Sequence, residues 1–369
     1  MNTPRPRIRK RRQEPVAEAA VEAEAERLPV TPAFPAAVDL PEPAAAETAP
    51  RRDERPPPAP PGTVLRGRFE LIEVIGRGGM STVYRAVDHV RRQARAADPE
   101  VALKVTDIGE GYQEDAAILL HREGRRLLEL RHPNVVQVHD FDRDGSLHFL
   151  VMELLRGKTL AQAMQERESQ ALERRVALRI VSELGAGLAA VHAADMIHGD
   201  LKPGNVFITR EGRVKLIDFG TAQPVLPPDY VPAEDESAFF LRRMRAVTPA
   251  YASPGTLAGQ APTPQDDIFS FAVLTYVMLA GRHPFDGRSS AAAMAEGLFP
   301  APPTGFPGGR WMALRTGLAW EAEERPDTAL AFAGRILRPR LSDHRRAWLG
   351  EASKLMRSFH RRKPVNPAT

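Results

Sequence analysis

Residues 196–207 read MIHGDLKPGNVF, and residues 215–220 read KLIDFG. In the first stretch an apolar run enters a polar loop, and a strand-like run from Val206 to Ile208 leaves it. Gly212 then marks a turn, and a second apolar run extends from Val214 to Ile217. Two apolar runs separated by a short polar segment with glycine indicate a β-hairpin. The sequence therefore predicts a strand-turn-strand unit directly after the polar loop.

Four polar side chains would meet at the mouth of this hairpin. They are Asp200, Lys202, Asn205 and Asp218. Carboxylate and amide oxygens are the ligands that Mg²⁺ prefers, and an ammonium group neutralises phosphate charge. The set therefore suits a magnesium-bound nucleotide and an attacking hydroxyl group.

The order of these residues resembles the protein kinases, whose catalytic loop carries Asp and Asn and is followed by Asp-Phe-Gly. Lys202, two residues after Asp200, is similar to the serine/threonine branch of that family. The two stretches as a whole resemble the bacterial eukaryotic-like kinases. The resemblance implies an α+β, bilobal, protein-kinase-like fold. In such a fold the N-lobe has a small antiparallel β-sheet with one long helix, and the C-lobe is mostly helical.

The composition divides the chain into three parts. Residues 1–62 are rich in Pro, Ala, Glu and Arg without sustained periodicity, which is typical of a disordered tail. By resemblance, residues 63–338 form the kinase domain, with an N-lobe at 63–155 and a C-lobe at 156–338. Residues 339–369 form a basic tail in which one amphipathic helix is predicted. Such a helix can lie on an anionic membrane, dock a partner protein or pack back on the C-lobe.

A glycine-rich turn lies between two predicted strands of the first lobe, where residues 76–82 read GRGGMST. Backbone N–H groups of glycine can approach phosphates because no side chain intervenes. A lone glycine motif is more often an ordinary hairpin turn. This one lies between two strands and precedes Val83, as in the kinase pattern. The resemblance implies that Gly76, Gly78 and Gly79 cover the phosphates of ATP.

Lys104 lies in a predicted third strand, Val101–Val105, where a lone lysine is usually a solvated residue. The helix that follows has an apolar face that also carries Glu123. A carboxylate on an apolar face is stable when it meets a cation, and Lys104 is the natural partner. The resemblance implies the same pair, which would position the α- and β-phosphates. Glu114 and Glu129 are the competing partners.

The resemblance assigns a role to each remaining site residue. Asp200 would orient the proton of the attacking hydroxyl group, and Lys202 would neutralise charge on the moving γ-phosphate. Asn205 and Asp218 would hold Mg²⁺, with Mn²⁺ as an alternative ion. The adenine ring would lie between apolar side chains and against the hinge backbone that follows the gatekeeper Met152. These adenine contacts are Val83, Ala102, Phe207, Glu153 and Leu155.

Two further C-lobe residues are placed by the same resemblance. Thr248 opens the stretch TPAYASPG at residues 248–255, where the family keeps a hydroxyl group that contacts the catalytic Asp and Lys. Asp267 lies near the start of a helix that is apolar nearly all round. It would hold the backbone of the catalytic loop, and a helix cap is the alternative or additional role.

Two positions depart from the kinase pattern. The family commonly has His-Arg-Asp where this chain has His198-Gly199-Asp200, and the missing Arg normally grips a phosphate on the activation segment. We therefore expect activity that does not require phosphorylation between Thr221 and Ser237. The family's Ala-Pro-Glu is Ser253-Pro254-Gly255 here. Arg325 matches the usual partner of that Glu, so it needs another partner, and we expect a less rigid peptide platform.

Two other functions compete with protein phosphorylation. His-Gly-Asp with a later Asn also resembles the aminoglycoside phosphotransferases, which act on small molecules. Lys202, Asp-Phe-Gly and the stretch 248–254 favour a protein kinase instead. A pseudokinase scaffold would keep the fold without the chemistry, but the four residues expected to grip the nucleotide and its metal are all present. They are Lys104, Asp200, Asn205 and Asp218.

The composition narrows the remaining classes. The chain has no cysteine, which excludes disulfides and thiolate metal sites and fits a reducing cytoplasm. The formal net charge is +4, and the basic residues crowd both ends, so the charge describes the tails and says little about nucleic-acid binding by the core. No specific nucleic-acid partner is expected. No unbroken apolar run reaches the roughly 18 residues of a membrane span. We expect a soluble, cytoplasmic protein that acts on protein substrates and whose basic tails can contact an anionic membrane surface.

Overall fold

The computed structural model describes residues 56–78, 81–107, 124–168, 170–219, 223–224 and 248–338. All of these residues lie in one compact unit of the chain. Several predictions fall outside them. These concern Gly79, Glu123, the tail up to residue 55, the activation segment at 220–247 apart from 223 and 224, and the tail helix after residue 338.

The small lobe is built on one six-stranded antiparallel sheet. Its strands, in the order in which they lie side by side, are β1 (Val64–Leu65), β2 (Phe69–Arg77), β3 (Ser81–Asp88), β4 (Glu100–Asp107), β6 (Leu147–Met152) and β5 (Val138–Asp144). Buried and half-buried side chains alternate along β3, as expected for a sheet with one covered face. Phe69, Tyr84 and Phe149 belong to the core under this face. A short helix α1 (His89–Gln93) follows β3, and residues 124–129, which precede β5, are helical.

The packed domain begins earlier than the sequence indicates. Ala59 is buried, and its carbonyl oxygen accepts a hydrogen bond of 2.8 Å from the hydroxyl group of Tyr84. The N–H of Gly62 donates to the carbonyl of Leu71 at 2.7 Å. Residues 56–62 therefore belong to the small lobe, and the predicted boundary between residues 62 and 63 is wrong. The prolines of this segment resemble a tail in composition, but a buried tyrosine hydroxyl fixes it to the sheet.

Helices build most of the second lobe. Those described are α2 (Leu160–Gln165), α3 (Arg174–Ala193), α4 (Pro254–Leu257), α5 (Pro264–Ala280), α6 (Ser290–Ala295), α7 (Gly308–Gly317) and α8 (Ala329–Leu337). By length and composition alone, α3 could cross a membrane. The side chains of Ile180, Val181, Leu184, Leu188 and Val191 are buried in the lobe, whereas Val176 near the start of the helix is exposed. A Cβ at Gly185 would lie only 2.6 Å from the Cβ of Ala333 on α8. This close packing identifies α3 as the core helix of the second lobe.

Helix α5 is buried on nearly all sides, as its apolar composition predicts. It begins at Pro264, and the side chains of Thr263 and Asp266 form a capping box at its start. Gly281, with φ of 68°, ends it in the left-handed conformation that suits glycine. Asp267 therefore lies in the first turn, and the cap that was its alternative role is made by its neighbours.

Two short sheets lie where the lobes meet. One has the order β10 (Val214–Leu216), β9 (Val206–Thr209), β7 (Gly157–Thr159), and the other pairs β8 (Met196–Ile197) with β11 (Gln223–Pro224). Leu216 lies opposite Val206, so β9 and β10 form the antiparallel hairpin that the apolar runs predict. The N–H of Val136 donates to the Leu216 carbonyl at 2.9 Å, and the N–H of Leu216 donates to the Asn134 carbonyl at 2.8 Å. The hairpin is therefore bonded directly to the chain that enters β5.

Candidate active site

The loop between β8 and β9 is closed by one amide side chain. Asn205 lies in the 3₁₀ turn Pro203–Asn205 and is 5% exposed. Its Nδ2 donates to the carbonyl oxygen of Asp200 at 2.7 Å and to the Asp200 Oδ2 at 3.2 Å. The two ends of the polar loop are thereby held together, and the Asp200 carboxylate is fixed in place.

Lys202 and Thr248 complete a cluster around the Asp200 carboxylate. The Lys202 Nζ lies 2.5 Å from Asp200 Oδ2 and donates to Thr248 Oγ1 at 2.7 Å. The backbone N–H of Thr248 donates to Asp200 Oδ1 at 3.1 Å. The predicted contact of the Thr248 hydroxyl with the lysine is therefore present. The contact with the aspartate is made by the backbone of Thr248 and not by its hydroxyl group.

Lys104 and Asp218 face each other from the two lobes. The Nζ of Lys104 lies 2.5 Å from Asp218 Oδ1. Lys104 is 8% exposed on β4, whereas the Asp218 side chain is 43% exposed. Asp218 has φ of 64°, a left-handed conformation that non-glycine residues adopt mainly at special sites. The predicted pair of Lys104 with Glu123 stays a prediction, since Glu123 lies outside the described residues.

Asn205 and Asp218 are suitable ligands for a magnesium ion. The hydrogen bonds that Asn205 donates to Asp200 use its Nδ2. Its amide oxygen, Oδ1, is therefore the atom that would coordinate the metal ion. Asp218 contributes a partly exposed carboxylate. Within the described ranges, no group of three His, Cys, Asp or Glu side chains could hold a metal by itself. One carboxylate and one amide suit Mg²⁺, which usually keeps water and phosphate oxygens among its ligands.

The predicted nucleotide contacts are neighbours across the strands. Val83 on β3 lies between Gly76 on β2 and Lys104 on β4. Ala102 lies opposite Met152, the predicted gatekeeper, and the N–H of Gly78 closes the glycine turn on the Ser81 carbonyl at 2.7 Å. From the helical side, Phe207 lies opposite Lys215 in the hairpin. Several of these apolar side chains are only partly buried. They are Val83, Met152, Leu155 and Phe207.

The predicted hinge residue Glu153 has a structural role that the sequence does not reveal. Its backbone N–H donates to the Gln137 carbonyl at 3.0 Å, and its Oε1 accepts from the Gln137 N–H at 2.7 Å. The same oxygen lies 2.5 Å from the Nζ of Lys215 on β10. The segment between the lobes is therefore joined to the strand that leads to Asp218.

Comparison with known proteins agrees with this geometry. The family described as "Protein kinase domain" matches residues 69–303. The chain belongs to the protein kinase family.

Relatives of this kinase occur among named bacterial enzymes. Serine/threonine-protein kinase pkn2 of Myxococcus xanthus is 36% identical over 232 residues, which cover 62% of the kinase and 26% of the relative. PknA of Corynebacterium glutamicum is 35% identical over 242 residues, which cover 64% of the kinase and 48% of the relative. The kinase therefore spans less than two thirds of the length of these relatives. The predicted resemblance to bacterial serine/threonine kinases is confirmed.

A solved structure supports the fold. The kinase domain of Mycobacterium tuberculosis PknI superposes with a TM-score of 0.57 at 22% identity, and the match covers 75% of this chain and 97% of that domain. The predicted bilobal kinase fold is confirmed.

Asp267 anchors the catalytic loop of the kinase. Its carboxylate accepts from the backbone N–H of His198 at 2.8 Å and of Gly199 at 2.9 Å, and it lies 2.9 Å from His192 Nε2. Burial by itself would raise the pKa of Asp267, but the hydrogen bonds from His192 and Gly199 and the nearby histidine charges keep this pKa below its usual range. The ionised carboxylate is thus the form that holds the loop, as the resemblance implies.

Gly199, the first departure from the family pattern, has φ of 78°. A residue with a Cβ is strained in this conformation, and glycine is not. The anchor on Asp267 uses the backbone N–H of Gly199. The loop therefore keeps this anchor without an arginine side chain at position 199.

The second departure is compensated by a neighbouring carboxylate. Gly255 belongs to the platform segment, which we define as residues 248–257. Arg325 is 4% exposed, and its Nη1 lies 3.2 Å from Asp266 Oδ1. Burial lowers the pKa of Arg325 from its ordinary value, and the Asp266 carboxylate opposes this shift. The partner that Arg325 needs is therefore Asp266.

Sequence reasoning missed several residues that hold the site. They are His192, Lys215, Asp266, Ser270, His283 and Ser290. For Asp266 a signal exists, because Thr263 followed three residues later by an acid is typical of a capping box. The others act through contacts between residues far apart in the chain, and no local pattern marks them.

Proposed function

We propose that this kinase transfers the γ-phosphoryl group of ATP to serine or threonine hydroxyl groups of proteins, its own chain included. The observation that carries the proposal is the cluster of Asp200, Lys202 and Thr248. It places a fixed carboxylate and an ammonium group beside the platform segment. The family membership and the named serine/threonine kinases among its relatives support the same activity.

Asp200 orients the attacking hydroxyl group. Its Oδ1 accepts from the N–H of Thr248, and its Oδ2 accepts from Lys202 and Asn205. Phosphoryl transfer passes through a loose transition state, so positioning matters more than early proton removal. A carboxylate fixed in this way can receive a hydrogen bond from the hydroxyl group and take its proton. The oxygen of that hydroxyl group would bond to the γ-phosphorus as the bond from this phosphorus to the bridging oxygen breaks and ADP leaves. Lys202, beside it, neutralises charge on the transferred group.

The nucleotide side is formed by the other lobe. Lys104 is held near the cleft by Asp218 and is placed to bind the α- and β-phosphates. Gly76 and Gly78 lie in the strand and turn that would cover the phosphates. When bound, Mg²⁺ or the alternative Mn²⁺ supplies positive charge that neutralises the phosphate oxygens. Asp218 and Asn205 are the residues that would hold it.

The decisive experiment is phosphate incorporation from labelled ATP. Asp200→Asn and Asp218→Asn should each lower incorporation into the kinase and into an added test protein by about a thousandfold or more. Asp286→Asn is the matched control, because the Asp286 side chain is 78% exposed. Labelled phosphoserine or phosphothreonine excludes a small-molecule phosphotransferase. Incorporation that persists in both active-site variants would contradict the proposal, and absence of incorporation by the native chain would indicate a scaffold.

The glycine in His198-Gly199-Asp200 supports a finer proposal, that activity does not depend on a phosphorylated activation segment. No arginine precedes Asp200 to grip such a phosphate. The test replaces Thr221, Tyr230 and Ser237 by Ala together and measures phosphorylation of the test protein. We expect activity within about twofold of the native chain. A collapse of activity would refute this proposal and leave the main one intact.

The localisation and the tails belong to the same proposal. The absence of cysteine and the basic ends of the chain support a cytoplasmic protein that can bind anionic membrane surfaces through its tails. Flotation of the full chain with vesicles containing phosphatidylserine should show binding that weakens as salt is raised. Equal recovery with neutral vesicles would contradict it.

A further inference from the structure

Side chains of the second lobe hold four consecutive residues of the platform segment. Three backbone carbonyls accept from His283, Ser270 and Ser290, and one hydroxyl group donates to Asp266. The bonds are His283 Nε2 to Ala250 at 2.8 Å, Ser270 Oγ to Tyr251 at 2.8 Å, Ser290 Oγ to Ala252 at 2.6 Å, and Ser253 Oγ to Asp266 Oδ1 at 2.6 Å.

Asp266 differs from the other three because its carboxylate joins several segments. Its Oδ1 accepts from Ser253 Oγ at 2.6 Å and from Arg325 Nη1 at 3.2 Å. Its Oδ2 accepts from the N–H of Thr263 at 2.8 Å and from the Thr263 hydroxyl at 2.9 Å. One side chain therefore ties the platform segment to the start of α5 and to a buried arginine.

The buried Arg325 makes this carboxylate necessary. The Arg325 side chain is 1% exposed, and an unpaired guanidinium group at such a site is strongly unfavourable. Its other donors reach the carbonyls of Ala319, Trp320 and Gln265. Among the described residues, Asp266 is the acidic side chain at ion-pair distance from it.

Gly255 leaves the space in which Asp266 acts. A Cβ at Gly255 would lie 3.8 Å from Asp266 Oδ1 and 2.6 Å from Gln260 Oε1, which is the end of a flexible side chain. Two side chains, Asp266 and Gln260, thus fill the region beside Gly255. A carboxylate introduced at position 255 would start close to the place where the Asp266 carboxylate now lies.

A short turn connects this anchor to the reacting groups. The carbonyl of Thr248 accepts from the N–H of Tyr251 at 2.9 Å and of Ala252 at 3.2 Å, and Ala252 precedes Ser253 directly. Thr248 in turn contacts both Asp200 and Lys202. A shift of Ser253 therefore moves Thr248 relative to the catalytic carboxylate.

We propose that Asp266 is a positioning residue for the protein substrate. Its carboxylate binds Arg325 and Ser253, holds the platform segment, and so keeps Thr248 against Asp200 and Lys202. The inference rests on the proposed protein kinase function, and it adds the residue that replaces an acidic side chain at position 255. The Asp266 side chain contacts Ser253, Arg325 and Thr263, so it acts through the platform segment and not on the reacting groups directly.

The test compares Asp266→Asn with the native full chain. Both oxygens of the Asp266 carboxylate accept hydrogen bonds, one from Ser253 and Arg325 and the other from Thr263. In asparagine one of these oxygens becomes an NH₂ group, which cannot accept. Either the contact with Arg325 or the capping box is therefore lost. We expect the KM for the test protein to rise about tenfold or more, while the KM for ATP stays within about twofold. Hydrogen exchange of the backbone amides at residues 250–253 and 255–257 should accelerate, and this readout does not depend on activity.

Two further variants separate positioning from general stability. Ser253→Ala removes the link to Asp266 together with one helix N-cap, and Thr328→Ala removes an N-cap of the same kind at α8. Ser253→Ala should raise the KM for the test protein, whereas Thr328→Ala should not. Gly255→Glu added to Asp266→Asn introduces a carboxylate beside the side chain of residue 266 and should restore the KM at least in part. If Asp266→Asn does not fold, the comparison of Ser253→Ala with Thr328→Ala decides whether the link between Ser253 and Asp266 positions the substrate.

The outcomes distinguish the two proposals. An unchanged KM for the test protein and unchanged exchange at residues 250–253 and 255–257 in a folded Asp266→Asn variant would overturn the role of Asp266. Equal effects of Ser253→Ala and Thr328→Ala would also overturn it. If the native chain phosphorylates no protein while exchange still accelerates in Asp266→Asn, the anchor stands and the proposed function fails.

Discussion

Two adjacent carboxylates in the first turn of α5 hold the two halves of the candidate active site in different ways. Asp267 accepts from backbone N–H groups of the catalytic loop, at His198 and Gly199. Asp266 accepts from side chains, those of Ser253 and Arg325, on the platform side. An anchor on backbone groups tolerates a change of side chain at position 199. An anchor on side chains depends on which residues are present, so the loss of an acid at position 255 has to be compensated.

The largest expected effect comes from breaking the loop anchor. Asp267→Asn leaves an NH₂ group facing backbone N–H donors in a site that is 1% exposed. We expect the free energy of unfolding to fall by about 3–5 kcal/mol and kcat to fall by about 100-fold, since small displacements of reacting groups have effects of this size. Denaturant unfolding and steady-state kinetics measure the two quantities.

Asp327→Asn, an exposed acid of the second lobe, is the matched control for the loop anchor. If Asp267→Asn retained a kcat close to that of this control, the backbone anchor would have no catalytic role.

The next effect concerns the platform anchor. Arg325→Met and Asp266→Asn both break the same ion pair, between Arg325 and Asp266. The double variant should therefore lose less free energy of unfolding than the two single variants lose in sum. We expect a coupling energy of about 1–3 kcal/mol between them. A double-mutant cycle measured by denaturant unfolding gives this value. Full additivity would show that the Asp266–Arg325 contact contributes nothing to the stability of the fold.

The two glycines that depart from the family pattern should respond differently to alanine. Gly199 has φ of 78°, so Gly199→Ala should lower the free energy of unfolding by about 1 kcal/mol. Gly255 lies in the first turn of α4, and a Cβ there meets the flexible end of Gln260. Gly255→Ala should change stability by less than about 0.5 kcal/mol. A reversed order of the two effects would contradict the structural explanation.

The last expected effect is a pH dependence on the platform side. Burial lowers the pKa of His283, while its bond to the Ala250 carbonyl and the charge of Asp286 oppose this shift. Its Nδ1 accepts from the N–H groups of Phe285 and Gly287, so the neutral ring with the proton on Nε2 fits the site. Protonation of Nδ1 would point an N–H of the ring at the N–H groups of Phe285 and Gly287.

The direction of the effect follows from proton uptake. The unfolded chain binds a proton at His283 near pH 6.5, and the folded chain binds it at lower pH, so the unfolded state holds more protons in this range. The contribution of His283 to the free energy of unfolding is therefore fully present above pH 6.5. It falls as the pH is lowered, by at most about 1.4 kcal/mol per pH unit. His283→Gln should flatten this part of a stability curve between pH 7.5 and 5.5. An identical slope in the variant would exclude His283 as its source.

The local signals of the sequence predict much of the fold, and they place the candidate reacting residues in one loop and the hairpin after it. The hairpin after the catalytic loop follows from its apolar runs, and the pairing of Leu216 with Val206 agrees. The packed domain starts earlier than its proline-rich composition predicts, because a buried hydrogen bond between Ala59 and Tyr84 fixes that segment to the sheet. Local patterns report periodicity and turns, and they do not report a single hydrogen bond between distant residues.

What the sequence determined by itself is the set of candidate reacting groups, because Asp200, Lys202, Asn205 and Asp218 lie at short fixed spacing in one loop and its hairpin. What only the tertiary structure decided is how that set is held. Asp266 reaches Arg325 across 59 positions of sequence, and Asp267 reaches His198 across 69. Contacts over such separations arise from the packing of α5 against the loop and the platform segment. A buried charge must find its partner in space, wherever the chain places that partner in sequence.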